Sequence, residues 1–151
     1  MAEILIVYHS QGGNTRRMAE AVAGGVRGME GSRAILKRAG ETTVADLIAA
    51  DGLALGTPEY FGTLSGMMKD FFDRTFYPAQ EKVFRKPYML FVSAGNDGSG
   101  AVKAVERIAL GYKFRKVQEP LVAKGEVTEE VLERCRELGA ILAGVCDLGN
   151  G

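Results

Sequence analysis

The sequence predicts an α/β fold, a three-layer sandwich in which a five-stranded parallel sheet of order 2-1-3-4-5 carries helices on both faces. Three observations lead there. Apolar β-prone runs alternate with helical segments five times along 151 residues, the pattern of βαβ units joined by right-handed crossovers. The first run, Ile4-Leu5-Ile6-Val7-Tyr8, is continuously apolar, which suits a central parallel strand covered on both faces. The three loops richest in glycine and polar residues follow the first, third and fourth strands. In that strand order the first and third strands flank the topological switch point, outside whose C-terminal ends ligands bind.

The first strand runs into Ser10-Gln11-Gly12-Gly13-Asn14-Thr15. Beyond it Thr15, Met18, Val22, Val26 and Met29 recur at helical spacing, so the loop opens a helix. Its unpaired amides and positive dipole end attract an anion. After glycines at Gly28 and Gly31, Ala34-Ile35-Leu36 gives a short second strand, and a brief helix follows from about Thr43 to Ala50. Leu53-Ala54-Leu55 forms the third strand, ending in Gly56 and Thr57, with Pro58-Glu59-Tyr60-Phe61-Gly62 as its loop. The next helix places Leu64, Met67, Met68, Phe71, Phe72 and Thr75 on one stripe, expected in the core.

Pro87 introduces the fourth strand, Tyr88 to Val92, which runs into Ser93-Ala94-Gly95-Asn96-Asp97-Gly98-Ser99-Gly100. Val102, Val105, Ile108 and Ala109 mark the helix behind that loop, and a last strand falls within Phe114 to Val122. The closing helix starts at Thr128, whose hydroxyl can cap it, with Glu129 and Glu130 favourably placed in the first turn. Cys135 and Cys146 lie on this helix about 16 Å apart at ~1.5 Å per residue, too far for a disulfide. They share a face with Val131, Leu138 and Leu142 and read as small buried hydrophobes. Nothing interrupts the alternation, so one domain spanning 1–151 is expected.

Composition narrows the class. With 46% hydrophobic and 25% charged residues the chain can bury a core without staples. Lys+Arg and Asp+Glu balance at 19 each, which points to neither nucleic acid nor a membrane surface. No apolar segment is long enough to span a bilayer and no signal-peptide pattern opens the chain, so the expectation is a cytoplasmic protein without membrane insertion.

Absent motifs narrow the first loop. No Gly-Lys-Ser or Gly-Lys-Thr occurs, which removes a Walker loop, and G-x-G-x-x-G is missing at this strand end. What stands there is hydroxyls at Ser10 and Thr15, amides at Gln11 and Asn14, and two glycines that permit positive φ and close backbone approach. Such a loop suits one phosphomonoester held by neutral donors; the alternative is an ordinary βα turn with an Asn cap. Receiver domains need clustered carboxylates for Mg²⁺ where this strand ends Tyr8-His9-Ser10. Low-molecular-weight phosphatases need a cysteine in this loop, and neither cysteine is there. No metal site is expected.

Through Ser10, Gly13 and Thr15 the first loop resembles the flavodoxin family, departing at Gly12, where flavodoxins usually carry another threonine. The segment Gly56-Thr57-Pro58-Glu59-Tyr60-Phe61-Gly62-Thr63-Leu64-Ser65-Gly66-Met67-Met68-Lys69 is most similar to type IV NAD(P)H:quinone oxidoreductases of that family. The resemblance implies a flavodoxin-like sandwich and FMN as the phosphate's bearer. It implies that Ser10, Gln11, Gly12, Gly13, Asn14 and Thr15 hold the phosphate. Pro58, Glu59, Tyr60, Phe61 and Gly62 would flank the isoalloxazine, with Tyr60 or Phe61 against the ring and the Phe61-Gly62 peptide near N5. Ser93, Ala94, Gly95, Asn96, Asp97 and Gly98 would form a third wall, although Asn-Asp-Gly is also strong turn chemistry. His9, the one histidine, reads as structural, and no catalytic side chain is expected. Arg16 and Arg17, in the first helical turn, either assist a phosphate dianion or are solvated. Glu126, Glu129, Glu130, Glu133 and Glu137 read as a solvated helix face, with a surface for a redox partner as the alternative.

Two functions fit a bound FMN. A carrier would exchange electrons with redox partner proteins; an oxidoreductase would take hydride from NAD(P)H and reduce a quinone. The compact length lacks the insertion that quinone oxidoreductases of this family use for oligomerisation and for shaping the substrate site, which favours the carrier. The middle motif favours the enzyme, and the balanced charge departs from the acidic surface typical of flavodoxins. Either a monomer or a homodimer is compatible.

Overall fold

The computed structural model describes residues 1–150; Gly151, the last residue of the expected domain, lies outside them. In chain order the elements are β1 (Ala2–Tyr8), α1 (Asn14–Arg27), β2 (Ser32–Arg38), a 3₁₀ turn (Ala39–Glu41), α2 (Val44–Ala49), β3 (Gly52–Tyr60), β4 (Thr63–Leu64), α3 (Gly66–Ala79), β5 (Pro87–Ala94), α4 (Ser99–Tyr112), β6 (Arg115–Lys116), β7 (Leu121–Lys124) and α5 (Glu129–Asn150). β1 runs parallel to β2 on one side and to β3 on the other, and β5 continues the sheet beyond β3. β6 and β7 both pair with the outer edge of β5. The order is thus 2-1-3-4-5 in major strands, with the switch point between β1 and β3.

Alternation along the strands divides the core in two. Leu5, Val7, Leu53, Leu55, Leu90 and Val92 point toward α2, α3 and α4. Ile4, Ile6, Ala54, Met89 and Phe91 point toward α1 and α5, where both cysteines are buried as free thiols. Burial pushes the Cys135 thiol up to about 12 and the Cys146 thiol up to about 11, so both stay protonated near neutral pH. On this side two glycines set the helix spacing. A Cβ on Gly25 would collide with the carbonyl oxygen of Arg136, and one on Gly139 with that of Val22. The backbones of α1 and α5 therefore touch.

Several boundaries differ from expectation, each for a local reason. β3 continues past Thr57, so Pro58, Glu59 and Tyr60 are strand and not loop; they pair onward with Ser93 and, as a hairpin, with β4. The hairpin turn is Phe61-Gly62, with φ of 52° and 75°. Positive φ at both positions is the geometry of a type I′ turn, whose twist matches that of the strands. β5 likewise keeps Ser93 and Ala94 in the ladder, and Ser99 and Gly100 already belong to α4. The last strand is split, ending at Lys124, with Pro120 in the break, where a residue without N–H cannot donate to a ladder. Two apolar residues leave their expected stripes: Met29 follows α1, and Met67 is 41% exposed. Leu64 lies in β4 before the helix begins. Among the described residues no helix is long and apolar enough to cross a membrane.

Candidate functional site

The C-terminal ends of β1, β3 and β5 open onto one crevice of about 740 Å³, within the size range of small-molecule sites. Its first wall is the β1–α1 turn. Ser10 Oγ accepts the Gly13 N–H at 3.1 Å, and Gly13 sits at the helix N-cap in the left-handed region with φ 99°. No side chain caps α1, so the Asn-cap alternative does not describe the turn; Asn14 is the first helical residue. The Arg17 N–H is the first to reach back, to Gly13 O at 3.0 Å. The amides of Asn14, Thr15 and Arg16 are first-turn donors with no intrahelical acceptor. The first turn holds no acidic residue and two cations, each opposing the dipole by about 0.3–1 kcal/mol at an exposed site. An anion is the group that such an end accommodates.

Thr15 is buried, and its hydroxyl lies 3.2 Å from Ser93 Oγ, linking the first turn to the end of β5. Either hydroxyl can donate. Ser93, Ala94 and Gly95 form the second wall. A Cβ on Gly12 or Gly95 would meet no atom within 4 Å, so both glycines border open space that a ligand group can occupy.

The third wall is the outer part of β3, with Pro58, Glu59 and Tyr60. The Tyr60 ring meets the His9 ring edge-on, at a centroid distance of 6.3 Å and 83° between planes. Burial and then the Arg38 charge hold the His9 imidazole below its ordinary pKa. Glu59 Oε2 accepts the Ala101 N–H at 3.1 Å, in the first turn of α4. This bond ties the hairpin to α4. At the same junction a Cβ on Gly100 would fall on the carbonyl oxygen of Gly62.

Not every expected residue lines the crevice. Gly13 shapes the turn at the N-cap of α1 without lining the crevice. Phe61 and Gly62 form the hairpin tip, with Phe61 fully exposed and in the left-handed region, an uncommon place for a bulky residue. Asn96, Asp97 and Gly98 turn into α4: Asp97 Oδ1 accepts the Ser99 N–H at 3.0 Å and the Ser99 hydroxyl at 2.9 Å. These bonds hold the Asp97 carboxyl below its usual range.

A fourth segment completes the lining, and of it the sequence marks only Glu126, as part of a solvated helix face. Gly125, Glu126 and Val127 follow β7 and line the crevice, and the Gly125 N–H donates to Ala94 O at 2.7 Å. Glu126 therefore stands at the site and apart from the acidic face of α5. The signal is Gly125, three residues before the Thr128 cap, obscured because the last strand runs on to Lys124, beyond the expected Val122. Arg17 also lines the crevice.

The residues present fit FMN. Uncapped first-turn amides and hydroxyls suit a phosphomonoester, and the adjoining space between Tyr60 and the Ser93–Gly95 backbone suits a flat ring with hydrogen-bonding edges.

Comparison with known proteins shows the family and the fold. The family model described as NADPH-dependent FMN reductase matches residues 35–129, more than half of the chain. A flavodoxin of Aquifex aeolicus is 35% identical over 159 residues, covering 95% of this chain and 86% of that one. An NAD(P)H dehydrogenase (quinone) of Acidithiobacillus ferrooxidans is 34% identical over 121 residues, which cover 66% of this chain and 60% of that protein. Among solved structures, the flavodoxin, WrbA-like protein from Agrobacterium tumefaciens superposes with a TM-score of 0.84 at 28% identity, covering 98% and 99% of the two chains. An archaeal flavodoxin has the same fold, with a TM-score of 0.84 at 22% identity over 96% and 99% of the chains.

Proposed function

The chain belongs to the flavodoxin family of FMN proteins, and from that premise we propose that it works as an electron carrier through FMN seated in the crevice at the β1/β3 switch point. It is an FMN-binding, flavodoxin-like redox protein. The observation that carries the placement is the uncapped N-terminus of α1, which opens on the crevice where three strand ends converge.

In this reading the amides of Asn14, Thr15 and Arg16 bind the phosphate, with Ser10 to Gly13 wrapping it. Tyr60 orients the isoalloxazine, and Pro58 and Glu59 hold that wall in place. Phe61 and Gly62 border the ring from the hairpin tip. The backbone from Ser93 to Gly95 serves the polar edge of the ring, and Asn96 to Gly98 support it from the turn before α4. Bound there, FMN supplies the redox chemistry at its isoalloxazine. The protein binds, orients and shields the ring; no side chain has to deliver a proton. One domain spanning 1–151 in the cytoplasm, acting on redox partner proteins as a monomer or homodimer, completes the proposal.

A second reading, an NAD(P)H-dependent quinone reductase, is favoured by the description of the matching family model and by the quinone dehydrogenase relatives. The matched segments cover 60% of the first of those relatives and 48% of the next. An anaerobic absorbance titration of the FMN-reconstituted protein separates the two. For a carrier, NADH and NADPH leave the flavin bands unchanged and dithionite bleaches them. Bleaching by either nucleotide makes the protein a reductase, and absence of flavin bands after reconstitution removes the cofactor reading.

A further inference from the structure

We infer that the end of the sandwich opposite the crevice docks an acidic segment of a partner protein, which inserts one apolar side chain between the C-terminal ends of α3 and α4. A cavity of about 230 Å³ opens there, with apolar walls from Phe76, Val83, Phe84 and Tyr112. Its floor is preformed. Tyr112 is buried, its hydroxyl donates to Phe72 O at 2.6 Å, and the Phe76 ring meets it edge-on at 5.1 Å. A Cβ on Gly111 would reach only ordinary contact with Phe76, at 4.0 Å, so glycine leaves the space beside that ring open. The volume falls below the about 300–1,000 Å³ of small-molecule sites and suits a single inserted side chain. Apolar surface continues outside the opening. Tyr77, packed on Phe76 at 5.2 Å between centroids, is 78% exposed, Phe84 is 61% exposed, and Leu110, next to Gly111, is 76% exposed. An exposed apolar patch with a charged rim marks an interaction surface.

Charge selects the occupant. Glu81 and Lys113 line the cavity, Lys82 and Arg85 flank its lining residues in the chain, and Arg107 stands one turn before Gly111 on α4. None of these five takes part in an ion pair among the described residues, whereas the acids of neighbouring turns, Asp73 and Glu106, are already held by Lys69 and Lys116. Four cations thus face one carboxylate, in a chain whose charges balance overall. Two copies of this face would repel; an acidic partner complements it. The backbone points the same way. Glu81, Arg85 and Lys113 have φ of 69°, 61° and 63°, three of the four positive values at non-glycine positions among the described residues. Glycine adopts that conformation without strain, so the charged side chains are kept at this rim against the preference of the backbone. The Arg85 N–H donates to Lys113 O at 2.8 Å, which ties the loop after α3 to the end of α4. The cavity lies beside the N-terminal end of β5 and the crevice beyond its C-terminal end, so a partner docked here leaves the crevice open.

The test is fluorescence anisotropy of a fluorescein-labelled peptide, Glu-Asp-Glu-Phe-Glu-Asp-Glu, titrated with the full chain with and without FMN. Saturable binding is expected, equal in both forms and weakened by salt. A peptide with alanine in place of phenylalanine should bind about tenfold more weakly, the loss of one buried anchor. Gly111→Leu, which fills the space beside Phe76, should cost the phenylalanine peptide a similar factor and leave the alanine peptide unchanged. The double variant Arg85→Gly, Lys113→Gly should weaken both peptides by about threefold to tenfold and flatten the salt dependence. Glycine suits both positions, so this variant should melt no lower than wild type. Absence of saturable binding, equal binding of the two peptides, or competition by FMN overturns the inference. So does self-association of the wild type in sedimentation equilibrium that Gly111→Leu abolishes, which would assign the face to a second copy of the chain.

Discussion

Gly100→Ala is expected to weaken FMN binding by about tenfold or more and to lower the melting temperature. The methyl group would land on the carbonyl oxygen of Gly62 and within 3.3 Å of Glu59 Oε2. Neither partner is a flexible side-chain end: one is the backbone of a two-residue turn, and the other is held by the Ala101 amide. Hairpin and helix must therefore separate. Overpacking of this kind costs about 1–3 kcal/mol, and each kcal/mol lowers the melting temperature by about 2–4 °C in a chain of this size. The larger consequence is at the site. The hairpin is the continuation of β3, and displacing it moves Glu59 and Tyr60, which form one wall of the crevice. Differential scanning calorimetry and FMN titration of the same variant read both effects. A lowered melting temperature with unchanged FMN affinity would show that the hairpin does not form a wall of the flavin site.

The second large effect lies on the opposite face of the sheet, at two neighbouring glycines of α1 with opposite expected signs. Gly24→Ala places its methyl in open space, with nothing within 4 Å. There the better helix propensity of alanine should stabilise by up to about 1 kcal/mol. Gly25→Ala places its methyl on the Arg136 carbonyl of α5, and the backbones must part. A cost of about 2–3 kcal/mol is expected, in spite of the same gain in propensity. Urea unfolding midpoints of the two variants provide the comparison. Two changes of equal sign would mean that α1 and α5 are not in backbone contact.

That contact shows what a sequence can and cannot disclose. The periodicity of Met18, Val22 and Val26 marked the buried face of α1, and Cys135, Leu138 and Leu142 marked that of α5. Which glycine of Gly24-Gly25 faces the partner depends on the crossing of two helices more than 100 positions apart, information that no local window contains. The same distinction runs through the site. The β1–α1 turn was legible because its residue types, the strand before it and the helical repeat after it are all local. The strand order followed from the alternation of elements, and with it the convergence of loops at the switch point.

The outer part of β3 was not legible. Pro58 and Glu59 resemble loop residues, and Phe-Gly is not among the dipeptides that usually signal a type I′ turn. Tertiary pairing with Ser93 and Leu64 makes them strand. Asn96, Asp97 and Gly98 carry strong turn chemistry, and that chemistry is satisfied locally by the bonds from Ser99 to Asp97, which leaves Gly95 as the last residue of that loop on the crevice wall. Gly125 to Val127 do not stand out as a site segment in the sequence because the two short pieces β6 and β7 offer too little alternation to locate the end of the sheet. Arg17 was visible as a cation in a first turn. Only the structure distinguishes it from its neighbour, by Glu20 on one side and the crevice on the other.

A crystal structure of the protein loaded with FMN tests the central placement most directly. The expected result is the phosphate within hydrogen-bond reach of the amides of Asn14, Thr15 and Arg16, the isoalloxazine beside Tyr60, and its polar edge along Ser93 to Gly95. Density for the phosphate at any other position, or for the ring outside the space between β3 and the end of β5, would contradict it.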